Sequence, residues 1–283
     1  MKFKISKYIL FFFLAGTNAF SQTPSDKSIL NKMLTASENV KTAKYSLKKE
    51  EKIGTVLIES EMRAKLQSIP YKVYVYNIKP TNGSEVLFLA DENNGNAIVN
   101  PNSFPFINLN LNPNNWLLRK EQHHTLNDLG FIYISNIIKN QIRKDGELFY
   151  SYLTYDGEVE WNGKKMYKLT LDNKNFAYYN YTVQKGETIT SIAKKLNVSD
   201  YMILSSNPKA HFYDDIKPGM QLKVPNSYAR KIILYIDKVY FLPLVQFIYD
   251  DKGLYEKYEL NNFILNPALR AEEFTPAYKE YHF

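Results

Sequence analysis

Few side chains in this sequence have the types and spacing that chemistry needs. The 283 residues include four histidines, His123, His124, His211 and His282, and no cysteine. A zinc hydrolase requires two or three ligands at a defined spacing with an acid nearby. His123 and His124 are adjacent, so they face opposite ways on a strand and diverge by about 100° on a helix. Neither arrangement makes a clamp, and the pair reads as a polar loop ahead of a helix. The missing cysteine removes thiol nucleophiles, disulfide scaffolds, cysteine zinc sites and a lipid-modified cysteine. No Gly-x-Ser-x-Gly elbow, phosphate-binding loop or dinucleotide fingerprint occurs. Glycoside cleavage by paired carboxylates remains open, since 29 acids are present. The adjacent pairs Asp214-Asp215, Asp250-Asp251 and Glu272-Glu273 fall at expected turns or ends and read as solvated. No cofactor and no metal is expected.

The formal charge is +7, with 15% aromatic and 23% charged residues. Met1 to Lys7 is basic, Tyr8 to Ala15 is apolar, and Ala19-Phe20-Ser21 offers small residues at −3 and −1. That is the pattern of a cleaved secretory signal over residues 1–21, and the apolar run is short for a membrane span. Cleavage after Ser21 removes three lysines and leaves a net charge of +4. The excess is mild and forms no basic run, so nucleic acid is not an expected partner.

Helical periodicity predicts two long helices, over Lys27 to Asn39 and Thr125 to Gln141. Between them, Thr55 to Ile58, Arg63 to Gln67, Tyr71 to Tyr76 and Glu85 to Ala90 read as strands, with turns at Asn82-Gly83 and Asn94-Gly95. Pro101 to Pro113 reads as a loop. Its Phe104, Phe106, Leu109 and Leu111 either pin it to the core or cover the mouth of a cavity. Strands resume at Leu148 to Tyr155, turn at Asp156-Gly157 and at Asn162-Gly163, and continue to Leu171. Further strands follow at Lys231 to Asp237, Val239 to Tyr249 and Leu254 to Leu265. In the last, Leu254, Tyr258, Leu260 and Ile264 share the buried parity. A coil from Pro267 to Phe283 packs on the sheet.

A different unit lies between Tyr179 and Pro225. Tyr181-Thr182-Val183 is a short strand, and Thr188 caps a helix whose apolar face is Ile189, Ile192, Ala193 and Leu196. Ser199 caps a second helix, Asn207-Pro208 ends it, and Gln221 to Val224 is a closing strand. This βααβ unit resembles the LysM family. The resemblance rests on Tyr181-Thr182-Val183, Lys185-Gly186-Glu187-Thr188-Ile189, Ile192-Ala193, Val198-Ser199, Asn207-Pro208, Ile216-Lys217-Pro218-Gly219, Leu222 and Val224-Pro225. Glu187 stands where aspartate is usual, and the loop from Lys209 to Asp215 is long. The resemblance implies binding of N-acetylglucosamine-containing glycan, peptidoglycan in a bacterium. The implied groove lies between two loops, with Gly186, Glu187, Thr188 and Ile189 on one and Asn207, Pro208, Phe212, Tyr213 and Ile216 on the other. Ile189 or Ile216 either accepts the acetyl methyl or packs in the core. Phe212 and Tyr213 are placed to stack on a sugar ring.

The strands on either side of this unit read as neighbours in one sheet, so the LysM module (residues 179–226) is an insertion at a hairpin tip. The remainder, residues 22–178 and 227–283, forms a discontinuous host domain. Its carrying segments are the helix Leu30 to Asn39, Tyr71-Lys72-Val73-Tyr74, Lys79-Pro80, Gly83 to Phe88, Leu234 to Asp237, Leu242-Pro243, Tyr249 to Gly253, Tyr258-Glu259-Leu260 and Asn266. The host is similar to the LolA/LolB lipoprotein-carrier superfamily, and more narrowly to related exported proteins of unknown function. The implied fold is α+β: an incomplete antiparallel β-barrel with covering helices, carrying the LysM insert. Its aromatic residues either line an apolar cavity or fill a closed core.

The function expected is that of an exported, non-catalytic binding protein, periplasmic or cell-wall associated. Its partners are peptidoglycan through the module and a lipid, lipoprotein or other apolar ligand through the host domain. The alternatives are a peptidoglycan hydrolase with unrecognised carboxylate catalysis and a structural envelope protein.

Overall fold

The computed structural model describes residues 25–283, so the expected signal segment lies outside the described residues. Ser25 caps α1 (Asp26–Glu38), its hydroxyl accepting the amide of Ser28. Six strands follow: β1 (Thr42–Ile53), β2 (Val56–Ser68), β3 (Tyr71–Lys79), β4 (Glu85–Leu89), β5 (Ala97–Asn100) and β6 (Leu109–Leu111). Then come α2 (Trp116–Arg119), α3 (Ile132–Asp145), β7 (Leu153–Trp161) and β8 (Lys164–Asp172). The inserted unit supplies β9 (Tyr178–Thr182), α4 (Ile189–Leu196), α5 (Asp200–Ser206) and β10 (Gln221–Pro225). The chain closes with β11 (Lys231–Asp237), β12 (Pro243–Tyr249) and β13 (Leu254–Leu265).

Several sequence expectations are corrected. The strands expected at Thr55 to Ile58 and Arg63 to Gln67 are one strand, β2, paired along its whole length with β1. The second long helix starts at Ile132, because Gly130 sits at φ +99°, and Thr125 caps only a short 3-10 turn before it. Leu148 to Ser151 is 3-10 helix. Asp156-Gly157 makes no turn: the β7–β8 register shifts there and Gly157 has positive φ, which marks a bulge inside one strand. In β13 the buried parity runs Glu256, Tyr258, Leu260 and then breaks at Asn262 (φ +49°), leaving Ile264 57% exposed. Leu109 and Leu111 belong to edge strand β6 and pack against the core, whereas Phe104 and Phe106 are 87% and 72% exposed, so only the second half of that segment is pinned.

One antiparallel sheet runs β6-β5-β4-β3-β2-β1-β13-β12-β11-β8-β7. β6 and β7 are its edges, so the sheet curls without closing. On the concave face, α1 and α3 bury Ile29, Leu30, Met33, Ile134 and Ile138 against Leu169, Leu171, Ile232 and Leu234. On the other face, the C-terminal coil stacks Tyr281 on Tyr74 at 3.7 Å and buries Glu273 between Lys44 and Lys65, each at 3.0 Å. The chain from Asn112 to Gly130 is a strap over the remaining concave face.

β8 pairs directly with β11, from Asp172 opposite Lys231 to Met166 opposite Asp237. The intervening chain therefore leaves and returns at adjacent points. Its arms hold each other, Asn226 donating its amide to the Ala177 carbonyl (2.9 Å) and accepting the Ala177 amide on its side chain (3.1 Å). The unit beyond has its own two-stranded sheet and its own core of Val183, Ile189, Ile192, Ile203, Leu222 and Val224. It does not swing free. Arg119 of the strap places two nitrogens on the Asp200 carboxylate (3.0 and 3.1 Å) and lies over the Tyr213 ring at 3.9 Å. The Tyr201 hydroxyl reaches the β1–β2 turn and accepts the Gly54 amide (3.0 Å), and Ser199 pairs with Tyr255 (2.8 Å). The Arg119 side chain is 2% exposed. Breaking such a buried pair leaves an uncompensated charge, so Arg119→Ala is expected to lower stability by about 3 kcal/mol in chemical denaturation.

Candidate functional site

Two places offer themselves for binding: a cavity under the strap and the loops of the inserted unit. The cavity follows from uneven coverage. The two helices fill one end of the concave face, and the strap spans the rest without filling it, leaving about 500 Å³. Such a volume lies within the range of small-ligand pockets.

Register decides the chemistry of its wall. Alternate residues of a strand share a face, and on β1 the inward series is Ala43, Tyr45, Leu47, Lys49, Glu51. β13 matches it with Leu260 opposite Leu47, Tyr258 opposite Lys49 and Glu256 opposite Glu51. β2 adds Ala64, Met62 and Ser60, and β3 adds Val75 and Asn77 at the same levels. One end of the wall is therefore aliphatic, continued by Val86, Val99, Leu109 and Leu111, and the other end is a charged corner. Exposed Lys79, Pro80, Thr81, Ser103, Leu117 and Lys120 mark the mouth.

The corner is a buried ionic network. Glu51 and Glu256 are 1% and 0% exposed. Glu51 accepts from Lys49 (3.0 Å) and from Tyr258 (2.7 Å), and Lys49 also donates to the Gln122 side-chain oxygen (2.9 Å). Glu256 accepts from His123 (2.8 Å) and Tyr228 (3.0 Å), and His124 lies 3.3 Å away. The second nitrogen of His123 meets the Lys52 carbonyl at 2.9 Å, and its ring stacks between Tyr201 and Tyr255, each at 4.3 Å. The adjacent histidines lie in irregular chain ahead of a helix, as expected from sequence, but they turn inward. The strap is irregular there, and both rings turn to one carboxylate.

Burial disfavours the charged form of His124, but the Glu256 carboxylate, with Glu51 and Asp128 behind it, outweighs that and holds its pKa at about 9, above the ordinary 6.5. Burial would likewise push Glu256 up, and His124 and His123 bring it down to about 2. Glu51 is also lowered, burial being outweighed by Lys49, His123 and His124. Both carboxylates are therefore held ionised, and neither is poised as an acid. Among the described residues no three His, Asp or Glu side chains cluster as a metal site.

In the inserted unit the two expected loops lie side by side, joined by the Ile189 amide donating to the Tyr213 carbonyl (2.7 Å). Gly186 is exposed at φ +81°. The Glu187 carboxylate is taken up by Tyr181 (2.8 Å), the Gln184 amide (2.9 Å) and Lys195 (3.2 Å). Thr188 caps α4. Ile189 is fully buried in the unit's core, whereas Ile216 is half-buried at its edge. The Asn207 side chain clamps α5 to β10, donating to the Ile203 and Lys223 carbonyls (2.7 and 2.9 Å) and accepting the Lys223 amide (2.8 Å). Pro208 and Phe212 are exposed, and Tyr213 is half-buried beneath Arg119.

The corner residues Lys49, Glu51, Gln122, Tyr228 and Glu256 were not singled out from sequence, and Tyr258 was read only as a buried-parity residue of its strand. The available signal was charge at i, i+2 on β1 and an acid and a tyrosine at i, i+2 on β13, both on the buried parity.

This fold and module place the chain among known families. It belongs to the family described as "Protein of unknown function (DUF1571)", whose model matches residues 40–196. Residues 181–225 match the LysM domain. No curated protein matches the sequence. The structure is similar to a LolA superfamily protein from Nitrosomonas europaea (10% identity, TM-score 0.34, covering 89% of this chain and 98% of that one). It is also similar to the lipoprotein LppX from Mycobacterium tuberculosis (11%, 0.40, 87% and 99%) and to a DUF1329 family protein from Desulfovibrio piger (9%, 0.37, 89% and 98%).

The charged corner has a pH signature. His124 binds its proton more tightly folded than unfolded, so its contribution is complete below about 6.5 and is lost as pH rises through about 9. Glu256 contributes fully above its ordinary 4.5 and loses that as pH falls through about 2. The melting temperature is expected to plateau between these limits and fall on both sides. Glu256→Gln is expected to flatten the acid limb, read by thermal melts across pH.

Proposed function

We propose that this chain is an exported, non-catalytic binding protein of the bacterial envelope, periplasmic or cell-wall associated. Residues 1–21 act as the signal. The LysM module, residues 179–226, binds N-acetylglucosamine-containing glycan in peptidoglycan. The host domain, residues 22–178 and 227–283, holds a lipid, a lipoprotein acyl chain or another apolar ligand. The observation that carries the host-domain reading is the cavity of about 500 Å³, walled by Leu47, Met62, Val75, Val86, Val99 and Leu260. The LysM match carries the glycan reading.

Within the module, the exposed backbone at Gly186 and Pro208 and the exposed ring of Phe212 are the surfaces offered to a sugar. Glu187, Thr188 and Asn207 shape the two loops through their hydrogen bonds. Ile216 takes the acetyl methyl, since Ile189 is enclosed. Tyr213 supports the groove and ties it to Arg119.

The hydrolase alternative finds less support. Glycoside cleavage by two carboxylates needs one of them held protonated as an acid. Glu51 and Glu256, the pair that shares the cavity corner, are both shifted the opposite way.

The protein is expected to pellet with purified sacculi. Phe212→Ala is expected to weaken that association about tenfold, equivalent to about 1.4 kcal/mol. A protein that stays in the supernatant beside a pelleting control defeats the glycan reading, and release of muropeptides establishes the hydrolase instead. Native mass spectrometry of the secreted protein is expected to show a copurified apolar ligand.

A further inference from the structure

The charged corner of the cavity is asymmetric in its unused hydrogen-bonding capacity. Each oxygen of Glu51 and Glu256 already accepts a hydrogen bond, from Lys49 and Tyr258 and from His123 and Tyr228, with His124 beside Glu256. Asp128, also on the wall, receives the amide and hydroxyl of Thr125 on Oδ2, both at 2.8 Å, and its Oδ1 has no partner among the described residues. The donors are not exhausted. Lys49 has three protons and two acceptors. The Gln122 side-chain nitrogen has no partner among the described residues, and neither has Nδ1 of His124. A group resting here meets spare N–H from three side chains, Lys49, Gln122 and His124, against one unpartnered carboxylate oxygen, Oδ1 of Asp128. A group that accepts from these donors completes their hydrogen bonding.

The rest of the wall excludes a ligand that is polar throughout. From Leu47 and Leu260 the cavity continues through Met62, Val75, Val86 and Val99. Tyr45 lines this part with a buried hydroxyl: the Gly130 backbone lies beside it without meeting hydrogen-bond geometry. Lys79, Lys120 and Glu121 stand at the exposed mouth, and Ser60 and Asn77 are neutral polar side chains that β2 and β3 add to this wall.

We infer that the cavity takes an amphiphile with an anionic head group, its tail along β2 to β5 and its head against Lys49, Gln122 and His124. This rests on the apolar-ligand reading above and adds to it the charge of the head. The protonated state of His124 near neutral pH supports the assignment.

The test is titration calorimetry of the full chain with palmitic acid, its methyl ester and hexadecylamine, which share a tail and differ in the head. The acid is expected to bind at least about tenfold more tightly than either, a margin of about 1.4 kcal/mol. In His124→Phe the preference for acid over ester is expected to collapse. If that variant does not fold, the three ligands on the natural protein decide the matter. An ester or amine that binds as tightly as the acid overturns the head-group assignment and leaves the apolar cavity standing. A preference that survives His124→Phe removes His124 from the assignment. Failure of all three to bind overturns the cavity reading and this inference with it.

Discussion

Glu256 is an ionised carboxylate with no exposed surface, and a buried charge persists only when it is paired and hydrogen-bonded. Meeting that demand organises much of the molecule. Its oxygens draw in His123 and His124 from the strap and Tyr228 from the arm that follows the inserted unit. Once His123 is held, its ring faces are covered by Tyr255 of β13 and Tyr201 of α5. One side chain thereby fixes the sheet, the strap and the insert against each other. The same pairing keeps the strap lifted over the concave face, and the space beneath it is the cavity.

Protein interiors pack about as tightly as organic crystals, so a void of this size needs a local cause. Here the cause is division of labour among the covering elements. α1 and α3 are amphipathic and fill the end near β8 and β11, whereas the strap carries only the short α2 and a 3-10 turn and offers no long apolar face. The aromatic residues divide accordingly. Phe131 and Phe149 are fully buried fillers, while Tyr45, Tyr133, Tyr228 and Tyr258 line the open space. The two readings of the aromatic load, lining and filling, apply to different parts of one sheet.

The inserted unit is tied to its host at more than its two arms. The Arg119 fork on Asp200 and its stack on Tyr213 join the strap to both the second helix and the second loop of the unit. Arg119 and His123 face the insert, and Gln122 and His124 face the cavity. A single stretch of strap thus forms part of both places where binding is expected.

Much of this was legible in the sequence where the local signal and the tertiary role agree. The first long helix, the hairpin at Asn162-Gly163, the βααβ unit and the open antiparallel sheet all follow from periodicity, turn chemistry and family resemblance. β1 was missed as a strand because its inward face carries Lys49 and Glu51, which removes the apolar alternation that marks a half-buried strand. The His123-His124 pair was misread for a related reason. Local geometry forbids adjacent residues a shared ligand in a regular strand or helix, but an irregular strap turns both rings toward Glu256, a residue distant in the chain. The sequence by itself determined most of the elements and the βααβ unit, because these depend on neighbours a few residues apart. Only the tertiary structure decided the charged corner, the cavity beside it and the docking of the module. Each depends on which distant side chains meet, and a buried charge reveals its partner only when the chain has folded around it.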